Sequence, residues 1–132
     1  QFAWSFVERK LEGLGPKDFA TACKKMSTRI MNAGLGGALA FAIAKSGAPG
    51  SENVEKMKYD RTAKALTEHL RILAGPSAKA GNDPRGYLGW LITQDAMTLR
   101  AHTDEAMEVL QWLARVADGK ANAIGDTGQG ED

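Results

Sequence analysis

The side chains able to do chemistry in this sequence are few and scattered. Its two histidines, His69 and His102, lie far apart, and neither has a second His or Cys at metal-ligand spacing. His102 falls at the edge of an apolar stripe and reads as a satisfied, half-buried imidazole rather than a ligand. The single cysteine, Cys23, lies within another apolar stripe and reads as a small hydrophobe, with only the adjacent Lys24 favouring a thiolate. Gly34-Leu35-Gly36-Gly37 could turn backbone N–H groups toward a phosphate at a helix start. Glycines at such a point more often break a helix and allow close packing. Asp104, Glu105 and Glu108 crowd one stretch and read as a solvated helix face. No nucleophile is paired with a base and no phosphate loop follows a strand, so neither an enzyme, a metal nor a cofactor is expected.

The cations are more informative. At about 100° per residue, Lys17, Lys24, Lys25 and Arg29 fall on one side of a helix whose other side carries Phe19, Cys23, Met26 and Ile30. Further along, Lys56, Lys64 and Arg71 share a flank, with Arg61 further round and Lys45 ending the segment between. A row of cations along about 20 Å of helix matches repeating phosphates and would bind nucleic acid without reading its sequence. The alternative is a solvated face, since amphipathic helices carry Lys for solubility. A second feature points to assembly. Trp112 lies off the Leu99, Leu110 and Leu113 stripe with Val116 beside it, and Trp90 could join the same patch. Two apolar faces on one helix mean full burial or a surface for a partner.

These groups sit on a chain of 132 residues, the size of one domain. It is 43% hydrophobic and 25% charged, ordinary for a soluble globular protein. No run approaches the roughly 18 apolar residues of a membrane span. Phe2 to Val7, broken by Ser5 and followed by Glu8, is no secretory signal. A lone cysteine fits a reducing compartment, so a cytoplasmic location is expected. The net charge of +1 hides an asymmetry: residues 1–85 carry 14 Lys and Arg against 8 Asp and Glu, and residues 86–132 carry 3 against 8. The asymmetry suggests either a basic face for an anion and an acidic end for another contact, or two ends that are simply solvated.

The local patterns predict an all-α, compact bundle of five to six helices in one domain, residues 1–118, with a flexible Gly- and Asp-rich tail over 119–132. The first helix is Phe2–Glu12, with Trp4, Val7 and Leu11 on one side. The second begins at Pro16, which suits the first helical position, and stops at Asn32-Ala33-Gly34. The third, Leu35–Lys45, is so rich in Gly and Ala that it reads as packed inside the domain. The fourth carries Tyr59, Ala63, Leu66, Leu70 and Leu73. A connector over 74–85 leads to a short helix, Tyr87–Asp95, with Leu88, Leu91 and Ile92 apolar. The last runs from Met97 to about Asp118, with Leu99, Ala106, Leu110, Leu113 and Ala117 on one stripe and Gly119 as its stop. No hairpin signal and no repeat is visible.

Four stretches in order resemble a known family. They are Met31-Asn32-Ala33-Gly34-Leu35 running into Ala40-Phe41-Ala42-Ile43-Ala44-Lys45; Thr67-Glu68-His69-Leu70; Trp90-Leu91-Ile92-Thr93-Gln94-Asp95; and Arg100 to Ala106 leading to Leu110-Gln111-Trp112-Leu113-Ala114-Arg115. Together they resemble the small helical subunit of the type III-B CRISPR RNA-guided effector, the Cmr complex. No single stretch is diagnostic, and residues 46–58 and 74–86 match nothing. The resemblance implies a non-catalytic bundle that stacks with further copies of itself as a minor filament beside the backbone and large subunits, in antiviral defence. It implies that Lys24, Lys25, Arg29 and Lys45 face the guide RNA and target RNA, and that Trp112 and Arg115 meet other subunits. Lys17, Lys64 and Arg71 extend the first set by position, and Trp90 and Val116 the second. Two other readings stand beside it. A free-standing DNA-binding regulator would use Leu35–Lys45 as a recognition helix, which offers a groove only Lys45. A scaffold that binds only protein is the other.

Overall fold

The computed structural model describes residues 15–46, 53–75 and 83–129, with side chains to residue 122. The first element, α1, is Pro16–Lys45. Pro16 occupies its opening turn, where a missing N–H costs nothing, and Asp18 adds a negative charge to the positive helix end. Phe19, Cys23, Met26 and Ile30 are all buried, as their spacing predicts.

At Gly34 the helix is interrupted, with φ 79 and ψ 165. Only glycine adopts this region without strain. A Cβ added there would meet nothing within 4 Å, so the requirement is conformational, not spatial. Beyond the kink Leu35, Ala38, Leu39 and Ala42 are buried. Ala40, Ala44 and Lys45 are exposed, so this segment is amphipathic rather than enclosed on all sides.

α2, Val54–Ala74, starts at Asn53, whose side chain accepts a hydrogen bond from the Lys56 N–H at 3.2 Å. It ends at Gly75, whose φ of 81 turns the chain away. α3, Pro84–Leu91, is capped by Asp83, which accepts from the Gly86 N–H at 2.8 Å. Asp95 then caps α4, Ala96–Gln129, by accepting from the Thr98 N–H at 2.8 Å. These backbone and side-chain hydrogen bonds with Thr98 hold the Asp95 carboxyl below its ordinary pKa. α1 packs against all three other helices, and α2 touches α3 and α4. One buried cluster draws on every element, with Phe19, Leu39, Leu66, Leu70, Tyr87, Leu91, Leu110 and Leu113 its largest apolar members.

Five to six helices are expected from sequence, and the described residues hold four. The predicted second and third helices form one element across the Gly34 kink. The Phe2–Glu12 helix lies outside the described residues. Leu73 and Ile92, expected in apolar stripes, are 47% and 68% exposed, because each sits at a helix end beyond the last packing neighbour. Gly119 does not stop α4, which continues to Gln129. Gly119 lacks the positive φ of a helix stop, so it carries only the modest propensity cost of an interior glycine, about 1 kcal/mol relative to Ala.

Replacing Gly34 by Ala is expected to lower unfolding free energy by about 1–3 kcal/mol, the cost of holding an L-residue in this backbone region. Chemical denaturation of both chains measures it. Because the site is open, Gly34→Ser should cost a similar amount.

Candidate nucleic-acid interface

The kink decides which cations meet. In a straight helix Arg29 and Phe41 would be about 18 Å apart along the axis. Here the Arg29 guanidinium lies over the Phe41 ring, 3.5 Å from its centroid, and the Lys45 ammonium is 5.7 Å from the same centroid. Phe41 also meets Tyr59 of α2 edge-on, at 5.5 Å and 79°. Such cation–π contacts hold Arg29 against the surface without neutralising it.

The expected row of cations divides in two. Lys17, Lys24, Lys25 and Arg29 are all exposed. Lys24 turns toward α4 and forms an ion pair with Asp118 at 2.9 Å. Lys25 and Arg29 line a groove of about 300 Å³ between α1 and α2. Lys64 and Arg71 lie on α2 but do not line this groove; Lys64 contacts Asp60 at 3.2 Å, and Asp60 also holds Arg61 at 2.7 Å.

Lys58, which the sequence does not single out, is the third cation of the groove. It is half-buried and donates to Glu55 at 3.0 Å, with Asp18 at 4.0 Å. That hydrogen bond and charge hold the Glu55 carboxyl below its ordinary pKa and raise the Lys58 ammonium above its own. The pair is therefore internally balanced, leaving Lys25 and Arg29 as the groove's outward charge. Phe41, Tyr59 and Thr62 complete the lining. One signal for Phe41 is in the sequence: a large aromatic set about 60° off the Ala38 position and about 100° off the Ala42 position sits at the rim of the buried face.

A second concavity lies on α4. Trp112 is 39% exposed and shares a hollow with His69, Glu105, Glu108 and Arg115. His69 Nε2 and Glu105 Oε2, 2.9 Å apart, join α2 to α4 at its edge. Val116 is partly buried against the core. Trp90 does not reach this hollow. Its ring packs on His102 at 5.1 Å and on Tyr87 at 5.9 Å. His102 precedes Trp112 by about 15 Å of helix.

His102 is 3% exposed, more deeply buried than its position predicts. Its Nδ1 lies 2.5 Å from the Tyr87 hydroxyl. Burial pushes the Tyr87 phenol well above its ordinary pKa, so it keeps its proton and can donate to Nδ1 of a neutral ring. Burial also lowers the His102 pKa, with the charge of Glu105 opposing. Cys23 is fully buried, and desolvation, with Asp118 nearby, pushes its thiol far above the range of a nucleophile. Among the described residues no three His, Cys, Asp or Glu side chains are placed to hold a metal ion, and no helix is long and apolar enough to cross a membrane.

The described architecture is thus a helical bundle with a cationic groove on one side and a tryptophan-centred, partly acidic hollow on another. The family model described as CRISPR-associated protein (Cas_Cmr5) matches residues 1–120, and the chain belongs to that family. No curated protein and no solved structure matches it.

The buried His102 gives a pH dependence with a definite sign. Its pKa is lower folded than its ordinary 6.5, so between the two values the unfolded chain binds more protons. Stability is expected to be fully present above pH 6.5 and to fall as pH drops toward the folded pKa. Thermal melts from pH 8 to pH 5 check this against His102→Gln, in which that part of the slope should vanish.

Proposed function

We propose that this chain is the non-catalytic small subunit of a type III-B CRISPR RNA-guided interference complex acting in antiviral defence. It stacks with further copies of itself as a minor filament beside the backbone and large subunits. Its basic face contacts the phosphates of the guide RNA–target RNA duplex, while other subunits do the cutting. The observation that carries the RNA part of this reading is the convergence of Lys25 and Arg29 on one groove, with Lys45 drawn toward it through Phe41. Phosphate contacts of this kind are sequence-independent, as an RNA-guided assembly requires of subunits that must accept any guide. The Trp112 hollow supports the subunit-contact part. A large aromatic beside Arg115 and two carboxylates is the composition of an interface centre with a polar rim.

The regulator reading loses ground on burial. Leu35, Ala38, Leu39 and Ala42 are consumed by the core, and of the exposed positions Ala40, Ala44 and Lys45 only Lys45 offers a groove a polar side chain.

Charge reversal at Lys25 and Arg29 in the assembled complex is expected to weaken target-RNA affinity. It should also flatten the salt dependence, by roughly one log–log unit for each phosphate that is no longer neutralised. Filter binding across a salt series measures both. Unchanged affinity and slope in an intact complex would leave a scaffold that binds only protein. Trp112→Glu is expected to release the subunit from the complex in size-exclusion chromatography while helicity is retained; co-elution with the other subunits would remove Trp112 from the interface.

A further inference from the structure

We infer that the α1–α2 groove takes one unpaired nucleotide, with its base stacked on the Arg29 guanidinium that lies over Phe41 and its phosphate on Lys25. The inference rests on the RNA reading above and adds a recognition mode that backbone contact alone does not contain.

Phosphate contact requires only exposed charge, and Lys17 would serve as well as Lys25. The groove is built differently. It has a volume of about 300 Å³ and combines two outward cations with two aromatic rings. That volume is at the low end for small-molecule pockets, enough for one base-sized group. An Arg guanidinium already lying on an aromatic ring offers its outer face to a further planar group, the way splayed RNA bases are commonly held.

The lining also holds a polar group without a partner. Thr62 is 2% exposed, and its hydroxyl makes no hydrogen bond. A threonine inside a helix ordinarily bonds the carbonyl four residues back. Thr21 and Thr28 of α1 do so, at 3.0 and 3.3 Å. A buried hydroxyl left unpaired is costly, and a turn of the Thr62 side chain toward an entering base edge would supply its partner; Thr67 of α2, equally unpaired, does not line the groove. The Asn32 side chain, also lining the groove, carries both a donor and an acceptor for the same edge. A base within a duplex cannot use this site, because its faces are stacked and its pairing edge is occupied.

The test is fluorescence anisotropy with the full chain at low salt. The probes are a short labelled oligouridine, the same strand annealed to its complement, and uridine monophosphate as competitor. Thr62→Val keeps the shape of the side chain, and Phe41→Leu keeps an apolar one where Phe41→Ala could loosen the fold; circular dichroism confirms helicity for each. Both variants are expected to weaken single-strand binding, by several-fold for Thr62→Val and by about tenfold for Phe41→Leu; Thr62→Val should leave duplex binding unchanged, and Phe41→Leu, which also frees Arg29, should weaken it by much less than tenfold. Competition by uridine monophosphate as effective per nucleotide as the strand would keep the site and assign it to a free nucleotide; weak competition assigns it to a strand. Single-strand binding unaffected by either variant overturns the inference. If charge reversal at Lys17 and Lys64 then still reduces duplex binding, phosphate contact survives without the nucleotide site.

Discussion

The backbone at Gly34 occupies a conformation closed to residues with a side chain, and the positions of the groove residues follow from it. The φ of 79 there breaks a helix that otherwise runs from Pro16 to Lys45. The second segment folds back so that Phe41 lies under Arg29 and beside Tyr59. Without the break the two ends of α1 would diverge, and Leu35, Leu39 and Ala42 could not join Phe19 and Met26 in one core. One glycine thus couples core formation to the placement of Arg29 and Lys45.

Electrostatics follows from that geometry rather than from charge counts. Half by half, the sequence is strongly basic and then strongly acidic. The fold pairs part of this charge internally: Lys24 on Asp118 across the two halves, and Lys58 on Glu55 and Lys64 on Asp60 within the first. Exposed pairs of this kind add little stability, but they remove charge from the outward field. Lys25 and Arg29 stay turned to the groove, Arg29 because its ring contact is with an uncharged partner. The acidic half serves a separate surface, the hollow around Trp112, where Glu105 and Glu108 gather.

Much of the fold is legible in the sequence because it depends on local chemistry. Pro16 opens α1, Gly34 breaks it, and the Phe19, Cys23, Met26 and Ile30 stripe goes inside, each by a mechanism that acts within one or two turns. Pattern and structure part where the outcome depends on distant packing. Gly119 reads as a stop, yet no positive φ makes it one. Leu73 and Ile92 fit their stripes but lie past the last neighbour that could cover them. Trp90 shares a residue type with Trp112, not a location, because α3 turns its ring onto Tyr87 and His102. Of the candidate site, the α1 cations are legible as a face. Their meeting with Lys58, Tyr59 and Thr62 is not, since it needs the α1–α2 packing that periodicity cannot express.

If the chain works as proposed, RNA lies on the α1–α2 side of the molecule. Photo-crosslinking the assembled complex with 4-thiouridine placed along the target strand, followed by mass spectrometry of this subunit, tests that placement most directly. Crosslinked peptides covering residues 25–33, 41 and 55–62 are the expected result. Crosslinks confined to α4 around Trp112 and Arg115 would contradict it and exchange the roles of the two surfaces.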